Sequence, residues 1–401
     1  MRIGLVTDFY YPWIGGPSIV VRNLAQGLTL RGHTVHLLAP SASGRPEVQM
    51  DGTLEITRVR TFPAPFGYRM RTNIWLTAAA ARWLDRVTPD VVHVHHPFPI
   101  SATAIFLAGR RGIPIVATNH TIPECALWGV RRLGLLYRSA EASFAWWLVR
   151  LLERCDRVAT PTRTAAHALQ VMGYRRDVDT ISNGVDTTRF APGASSAALK
   201  DRFELDGRPT VLYTGRLDAE KQMDVWLRAA AAAARQVDVQ FVVGGEGTER
   251  PRLEQMARDL GIEDRTRFIG YVSDQEFPSL YRMADVFFIT SPVELQSITA
   301  LEALASGLPI VAVEARALPE LVHHAYNGYL VAPGDWQAAG STLADLLLDE
   351  QRRSTMGIAS REMALEHDLH RTIERYERLL ENAIASRQGD NRSCGVPGRA
   401  G

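Results

Sequence analysis

The chain has 401 residues, 46% of them apolar and 22% charged, with a net charge of +1. This is the composition of a globular protein, not of a disordered or fibrous one, and the length suits two domains of somewhat under ~200 residues each. Three cysteines, Cys125, Cys155 and Cys394, lack paired spacing, which argues against a disulfide framework or a cysteine metal site and for a reduced, cytoplasmic setting.

The N-terminal MRIGLVTD reads as a first strand, since its apolar run is too short for a signal peptide. Further apolar runs of strand length follow at 35–39, 54–59, 91–95, 113–118, 157–160 and 179–182. A second set lies at 211–214, 240–243, 267–269, 286–290, 310–313 and 329–331. They are apolar nearly throughout, as expected of parallel strands buried on both faces, and helical patterns separate them. Two such sets predict two doubly wound, Rossmann-like α/β domains facing across a cleft, with ligands beyond the carboxyl ends of the strands. The expected boundaries are 1–190 and 191–369, with a linker in 190–209. A C-terminal helix over 370–385 crosses back to the first domain, and a disordered tail fills 386–401.

The near-zero net charge hides an asymmetry. Residues 1–190 carry 22 arginines and no lysine against 13 carboxylates, whereas the remainder carries 23 basic and 31 acidic residues. A basic first half suits an anionic surface or substrate. No nucleic-acid motif accompanies it. Residues 128–157 interleave Trp128, Phe144, Trp146 and Trp147 with Arg131, Arg132, Arg138, Arg150, Arg154 and Arg157, which suits a helix lying at a membrane interface. The alternative is a helix packing Leu133, Leu136, Ala140, Phe144, Trp147 and Leu151 on the sheet.

The segment SPVELQSITALEALASGLPIV after the 286–290 strand is the most informative. Glu294 falls in the loop beyond the strand and Glu302 in the early part of the following helix. Free amides around Gln296, Ser297, Ile298 and Thr299 suit a diphosphate, and the two carboxylates suit sugar and ribose hydroxyls.

Glu294, Glu302 and the ALASGLPIVA that follows resemble the signature of retaining glycosyltransferases of family 4, which have the GT-B fold. ISNGVD ending at Phe190, Thr214-Gly215-Arg216-Leu217 with Glu220, Lys221 and Asp224, GGEG at 244–247, FIGYV at 268–272 and NGYLV at 327–331 fall where that family has its motifs. The resemblance covers residues 1–385. It implies a nucleoside-diphosphate hexose as donor and a transfer that needs no metal. It places Gly215, Gly245 and Glu246 at the donor, Gly270 and Val272 at the base, and Gly15 and Gly16 beside the diphosphate and acceptor. His120 is expected to contact the transferred sugar, and Arg216 and Lys221 to stabilise the departing diphosphate. His93, His95 and His96 are expected to be structural, and Asp177-Val178-Asp179 a solvated turn. Front-face substitution is the expected mechanism, because no carboxylate is placed as a double-displacement nucleophile.

The string Glu294-Leu295-Gln296-Ser297, with Ala315 to Glu320, looks like bacterial lipid glucosyltransferases using UDP-glucose and diacylglycerol, and is compatible with GDP-mannose. Peripheral attachment to the inner face of the plasma membrane follows from that resemblance. A nucleotide-sugar epimerase and a non-catalytic sugar-nucleotide-binding protein are the competing classes. An NAD-dependent oxidoreductase is disfavoured, because the glycines lack G-x-G-x-x-G spacing.

Overall fold

Residues whose side chains cannot be hydrated on either face are driven into parallel strands covered by helices. The computed structural model describes residues 1–13, 15–63, 71–72, 77–128, 131 and 134–393. It divides into two units: unit 1 is 1–182 with 372–401, and unit 2 is 183–371.

Unit 1 runs β1 (Arg2–Thr7), α1 (Gly16–Leu30), β2 (Thr34–Pro40), β3 (Glu47–Asp51), β4 (Leu54–Val59), β5 (Phe62–Pro63), β6 (Arg71–Thr72), α2 (Thr77–Val87), β7 (Val91–His95), α3 (Pro99–Arg110), β8 (Ile115–Thr118), α4 (Pro123–Ala126), α5 (Leu135–Leu152), β9 (Arg157–Thr160), α6 (Arg163–Val171) and β10 (Asp179–Thr180). Its main sheet has the order β10-β9-β8-β7-β1-β2-β4-β3. All pairs are parallel except β3 with β4. Sequence reading misses β3, because an edge strand with Val48 and Met50 exposed carries no core pattern. The strand expected from Ile113 starts at Ile115, after Pro114, whose nitrogen has no hydrogen to donate.

Unit 2 runs α7 (Ala197–Arg202), β11 (Thr210–Thr214), α8 (Met223–Ala234), β12 (Gln240–Gly244), α9 (Arg250–Asp259), β13 (Thr266–Gly270), α10 (Phe277–Arg282), β14 (Val286–Ile289), α11 (Ile298–Ala305), β15 (Ile310–Val313), β16 (Gly328–Val331), α12 (Trp336–Leu348) and α13 (Glu350–Glu366). Its sheet, β13-β12-β11-β14-β15-β16, is wholly parallel. Side-chain caps start several helices: Ser297 accepts from the Ala300 amide, Asp335 from Ala338 and Asp349 from Arg352.

The boundaries differ from those expected. Unit 1 ends at Ser182, because Val185 and Phe190 are buried in the core of unit 2. Residues 190–209 are not a free linker either: they contain α7 and bury Leu199 and Leu205 in that core. The chain rejoins unit 1 at Thr372, within α14 (Leu369–Ser393). Ile373, Tyr376, Leu379, Leu380 and Ala383 are buried there, and Glu377 pairs with Arg31 and His33, each at 2.6 Å. The helix extends past the expected stop at 385, so 386–393 is helical rather than disordered. Arg387 reaches Asp156 at 2.9 Å and anchors that extension. Residues 394–401 lie outside the described residues.

The aromatic and basic segment is also more specific than expected. Trp147 and Phe144 are half-buried against the unit 1 core and Leu151 is buried. Leu136, expected to pack on the sheet, is 70% exposed, and Leu135 and Trp146 are exposed too. Arg131 lies over the Trp128 ring at 4.3 Å. Arg157 belongs to β9 and pairs with Asp179 at 2.8 Å, so the Asp177–Asp179 string supplies an ion pair. Arg132 and Leu133 lie outside the described residues.

The alanine run of α8 has a packing cause. Ala229, Ala230, Ala231 and Ala233 are buried, and Gly340 of α12 faces them. A Cβ at Gly340 would stand 2.5 Å from the Cβ of Ala232 and 2.9 Å from the carbonyl oxygen of Ala229. Gly340→Ala is therefore expected to push α8 and α12 apart at a cost of about 1–3 kcal/mol, read as a lower urea midpoint.

Candidate active site

In unit 2 every strand is parallel, so all carboxyl ends share one edge and the loops after β11, β12, β13 and β14 leave from it. Lys221 closes a short 3-10 turn, Ala219–Lys221, after β11. Glu294 lies in the loop after β14, the neighbour of β11. The Thr290 hydroxyl donates to the Lys221 carbonyl at 3.0 Å and fixes the turn against that loop. The Lys221 Nζ then reaches Glu294 Oε1 at 2.6 Å. Burial works to raise the Glu294 carboxyl, but the charge and hydrogen bond of Lys221 hold it below the usual range, with Ser291 and Arg216 assisting.

Arg216 leaves the same strand end. Its guanidinium pairs with Asp218 and Glu220. Asp218 in turn accepts from the Thr248 amide at 3.1 Å and hydroxyl at 3.0 Å, tying the loop after β11 to the loop after β12. The two cations expected at the diphosphate are thus present at one edge, each balanced by carboxylate.

Gly215, Gly245 and Gly270 end or follow three adjacent strands, and their backbones touch: the Gly245 amide donates to the Gly270 carbonyl at 2.9 Å. Gly245 has a φ of +133°, and a Cβ there would lie 1.9 Å from the Gly215 carbonyl oxygen. A Cβ on Gly270, whose φ is +66°, would meet Glu246 Oε1 at 2.8 Å. Only glycine fits at Gly245, and the positive φ favours glycine at Gly270. Glu246 itself accepts from Arg250 at 2.6 Å, and Val272 is buried.

Helix α11 opens at Ile298 with Ser297 as its cap. The amides of Ile298 and Thr299 have no partner among the described residues, leaving a partial positive charge at the helix start. Glu302 follows on α11, 5% exposed. Its Oε2 accepts from the Tyr281 hydroxyl at 2.6 Å, and that hydroxyl lies 2.8 Å from Thr214 Oγ1 at the end of β11. Burial pushes the Glu302 carboxyl up to about 7, against the hydrogen bond from Tyr281. Gln296, expected at the donor, lies in the loop before α11. Its side-chain oxygen accepts from the Asn183 amide at 2.7 Å and ties the entry of unit 2 to the loop before α11.

In unit 1, Gly15 caps α1 and Gly16 begins it; a Cβ at Gly15 would strike the Trp13 ring at 2.6 Å. Ile14 between them lies outside the described residues. His120 follows β8, with Nε2 3.2 Å from Nδ1 of His95. His93 Nε2 is 2.7 Å from Thr118 Oγ1. His93, His95 and His96 are buried, and burial is the main cause that lowers all four imidazoles: His120 to about 4, His93 to about 3, and His95 and His96 well below the usual value. Asp8, at the end of β1, accepts from the Ile100 amide at 2.8 Å and the Ser101 amide at 3.3 Å, anchoring the start of α3.

Sequence reasoning missed Asp8, Asp218 and Tyr281. Asp8 and Asp218 were findable, being carboxylates just beyond predicted strands. Tyr281 was not, because it sits 21 residues before Glu302 on a different helix.

Two expectations follow. Lys221→Met leaves Glu294 without its cation and should cost about 3 kcal/mol, seen as a lower melting temperature, whereas adding Glu294→Gln should restore most of the loss. Glu302 holds its proton in the folded chain up to pH of about 7, while the unfolded chain releases it near 4.5. Its contribution to stability is therefore complete below the unfolded value and lost as pH rises through 7. Denaturation of the native chain and Glu302→Gln across that range should show the native chain losing stability relative to the variant as pH rises.

The profile described as Glycosyltransferase Family 4 matches residues 14–189, and that described as Glycosyl transferases group 1 matches residues 196–363. The chain is 31% identical over 361 residues to a GDP-mannose-dependent alpha-mannosyltransferase of Mycobacterium tuberculosis, covering 88% of this chain and 89% of that one. It is 29% identical over 355 residues to the alpha-monoglucosyldiacylglycerol synthase of Streptococcus pneumoniae, covering 86% and 78%. Among solved structures, sucrose-phosphate synthase of Thermosynechococcus elongatus superposes with a TM-score of 0.80 at 20% identity, covering 96% of this chain and 99% of that one. The chain belongs to glycosyltransferase family 4: it is a hexosyltransferase with the GT-B fold of two Rossmann-like domains.

Proposed function

We propose that the enzyme transfers a hexose, glucose from UDP-glucose, to a lipid acceptor such as diacylglycerol held in an anionic membrane surface, with retention of anomeric configuration. The observation that carries the donor half is the Lys221–Glu294 pair at 2.6 Å beside the loop of Arg216. In this reading unit 2 binds the nucleotide sugar. Glu294 accepts from sugar hydroxyls and Glu302 from the ribose. Lys221, Arg216 and the amides of Ile298 and Thr299 hold the diphosphate. As the glycosidic bond breaks, negative charge grows on the leaving phosphate, and fixed cations and amides stabilise it without reorganising. Gly245 and Gly270 let backbone approach the nucleotide, with Gly215, Glu246, Val272, Ser297 and Ile298 around it. Unit 1 binds the acceptor, with Gly15 and Gly16 near it and His120 against the transferred sugar. The leaving phosphate takes the acceptor proton in a front-face substitution, and no metal is required.

The lipid acceptor is supported by α5. Leu135, Ser139, Ala142, Trp146 and Arg150 share one exposed stripe at helical spacing, flanked by Arg138. No helix among the described residues is long and apolar enough to cross a membrane, so attachment through this face would be peripheral, on the inner side of the plasma membrane. The name of the pneumococcal relative adds to the lipid reading. A second reading, transfer of mannose from GDP-mannose, is favoured by the name of the mycobacterial relative.

A donor screen that reads nucleoside diphosphate release, with diacylglycerol liposomes as acceptor, tests both. UDP-glucose turnover is expected, falling by about 10²–10³ in Glu294→Ala and in Lys221→Ala; GDP-mannose turnover alone would favour the second reading. The chain should float with anionic liposomes, and failure to float with any liposome would overturn the lipid acceptor. A trapped covalent glycosyl-enzyme would overturn front-face substitution.

A further inference from the structure

We infer that His95 sets the tautomer of His120, so that His120 meets its ligand as a hydrogen-bond donor through Nδ1. The inference rests on the reading that His120 contacts the transferred sugar and adds a positioning residue behind it.

β7 and β8 are parallel neighbours with His95 opposite Thr118, so His120, two residues further on, comes against the end of β7. The His95 and His120 rings stack at 5.4 Å with an interplanar angle of 8°. Their only mutual hydrogen bond runs between His95 Nδ1 and His120 Nε2, at 3.2 Å. One proton occupies that bond, and which ring owns it fixes both tautomers.

The buried end of His95 decides the ownership. His95 is wholly buried, and its Nε2 has no partner among the described residues. A proton on that nitrogen would be a buried N–H without an acceptor, at a cost of about 1–3 kcal/mol. A buried lone pair without a donor is the more tolerated state. His95 therefore carries its proton on Nδ1 and donates to His120 Nε2.

The surroundings offer no escape from this choice. His93 uses Nε2 toward Thr118 Oγ1, and that hydroxyl donates to the Tyr376 hydroxyl at 3.4 Å. The Asp8 carboxylate is occupied by the amides of Ile100 and Ser101. The His96 ring stands 5.2 Å from that of His120 without bonding it. Burial keeps His95 and His120 neutral near pH 7, and the neighbouring imidazoles add to it at His95, so a doubly protonated ring does not blur the assignment.

With Nε2 accepting, neutral His120 must carry its own proton on Nδ1. That nitrogen has no partner among the described residues. It donates to an oxygen and has no lone pair there to receive a proton. His120 is thus a group that recognises a sugar hydroxyl oxygen, and not a general base.

The test is a long-range ¹H–¹⁵N correlation on the full chain labelled at histidine, with His120 assigned through His120→Gln. The expected pattern has His120 protonated at Nδ1 and bare at Nε2. His95→Asn places an amide N–H near the position of Nδ1, so it should keep the pattern. His95→Asp, studied at a pH where the new carboxylate is ionised, can only accept there and should move the His120 proton to Nε2, raising the donor KM about tenfold or more with little change in melting temperature. An Nε2-protonated His120 in the native chain, or an unchanged tautomer in His95→Asp, would overturn the inference. If the tautomers behave as expected but His120→Gln leaves KM and kcat intact, the sugar contact fails while the role of His95 stands.

Discussion

A lysine and a glutamate 73 residues apart are held at 2.6 Å where two neighbouring strands end. Neither charge would be stable alone in that half-buried position, because removing an ion from water costs several kcal/mol unless an opposite charge answers it. Each therefore constrains the loop that carries the other. The Thr290 hydroxyl completes the tie by holding the Lys221 carbonyl. The same logic repeats around Arg216, whose charge is answered by Asp218 and Glu220 while Asp218 also holds Thr248. The result is an edge of the sheet with cations, carboxylates and bare amides in fixed places, which is what a charged leaving group requires.

Glu302 follows a different rule. Among the described residues no cation pairs with it directly; a hydroxyl chain does, from Thr214 through Tyr281 to one carboxylate oxygen. Burial raises the carboxyl to about 7, and the hydrogen bond from Tyr281, which favours the charged form, offsets only part of that rise. The contrast with Glu294 is one of environment alone: burial acts to raise both carboxyls, but Lys221 outweighs it at Glu294, whereas the hydrogen bond from Tyr281 does not outweigh it at Glu302. Unit 1 solves its own polar burial with neutral imidazoles. Four histidines, on β7 and just after β7 and β8, stay uncharged because burial penalises the cation, and neighbouring rings add to this at His93, His95 and His96.

The strands were legible in the sequence because parallel strands buried on both faces are apolar throughout, and both units show such runs where the sheets form. Glu294, Lys221 and Arg216 were legible because they stand just beyond those runs, where parallel topology must bring loops to one edge. The glycines were legible for a similar reason, since 1.9 Å between a would-be Cβ and a carbonyl leaves no choice of residue at Gly245.

What the linear chain left open is whatever depends on contacts distant in sequence. It could not say that Val185 and Phe190 enter the second core, which moves the boundary to Ser182, nor that Arg387 finds Asp156 and carries α14 on to Ser393. It could not show Gln296 turned toward Asn183, Tyr281 behind Glu302, or His95 behind His120. Residue type and local spacing determined the strands, the strand-end glycines and the charged loops, because hydrophobic burial and backbone sterics act along short stretches. Protonation, tautomer and pairing were decided only by the tertiary structure, because they depend on which groups share a buried volume.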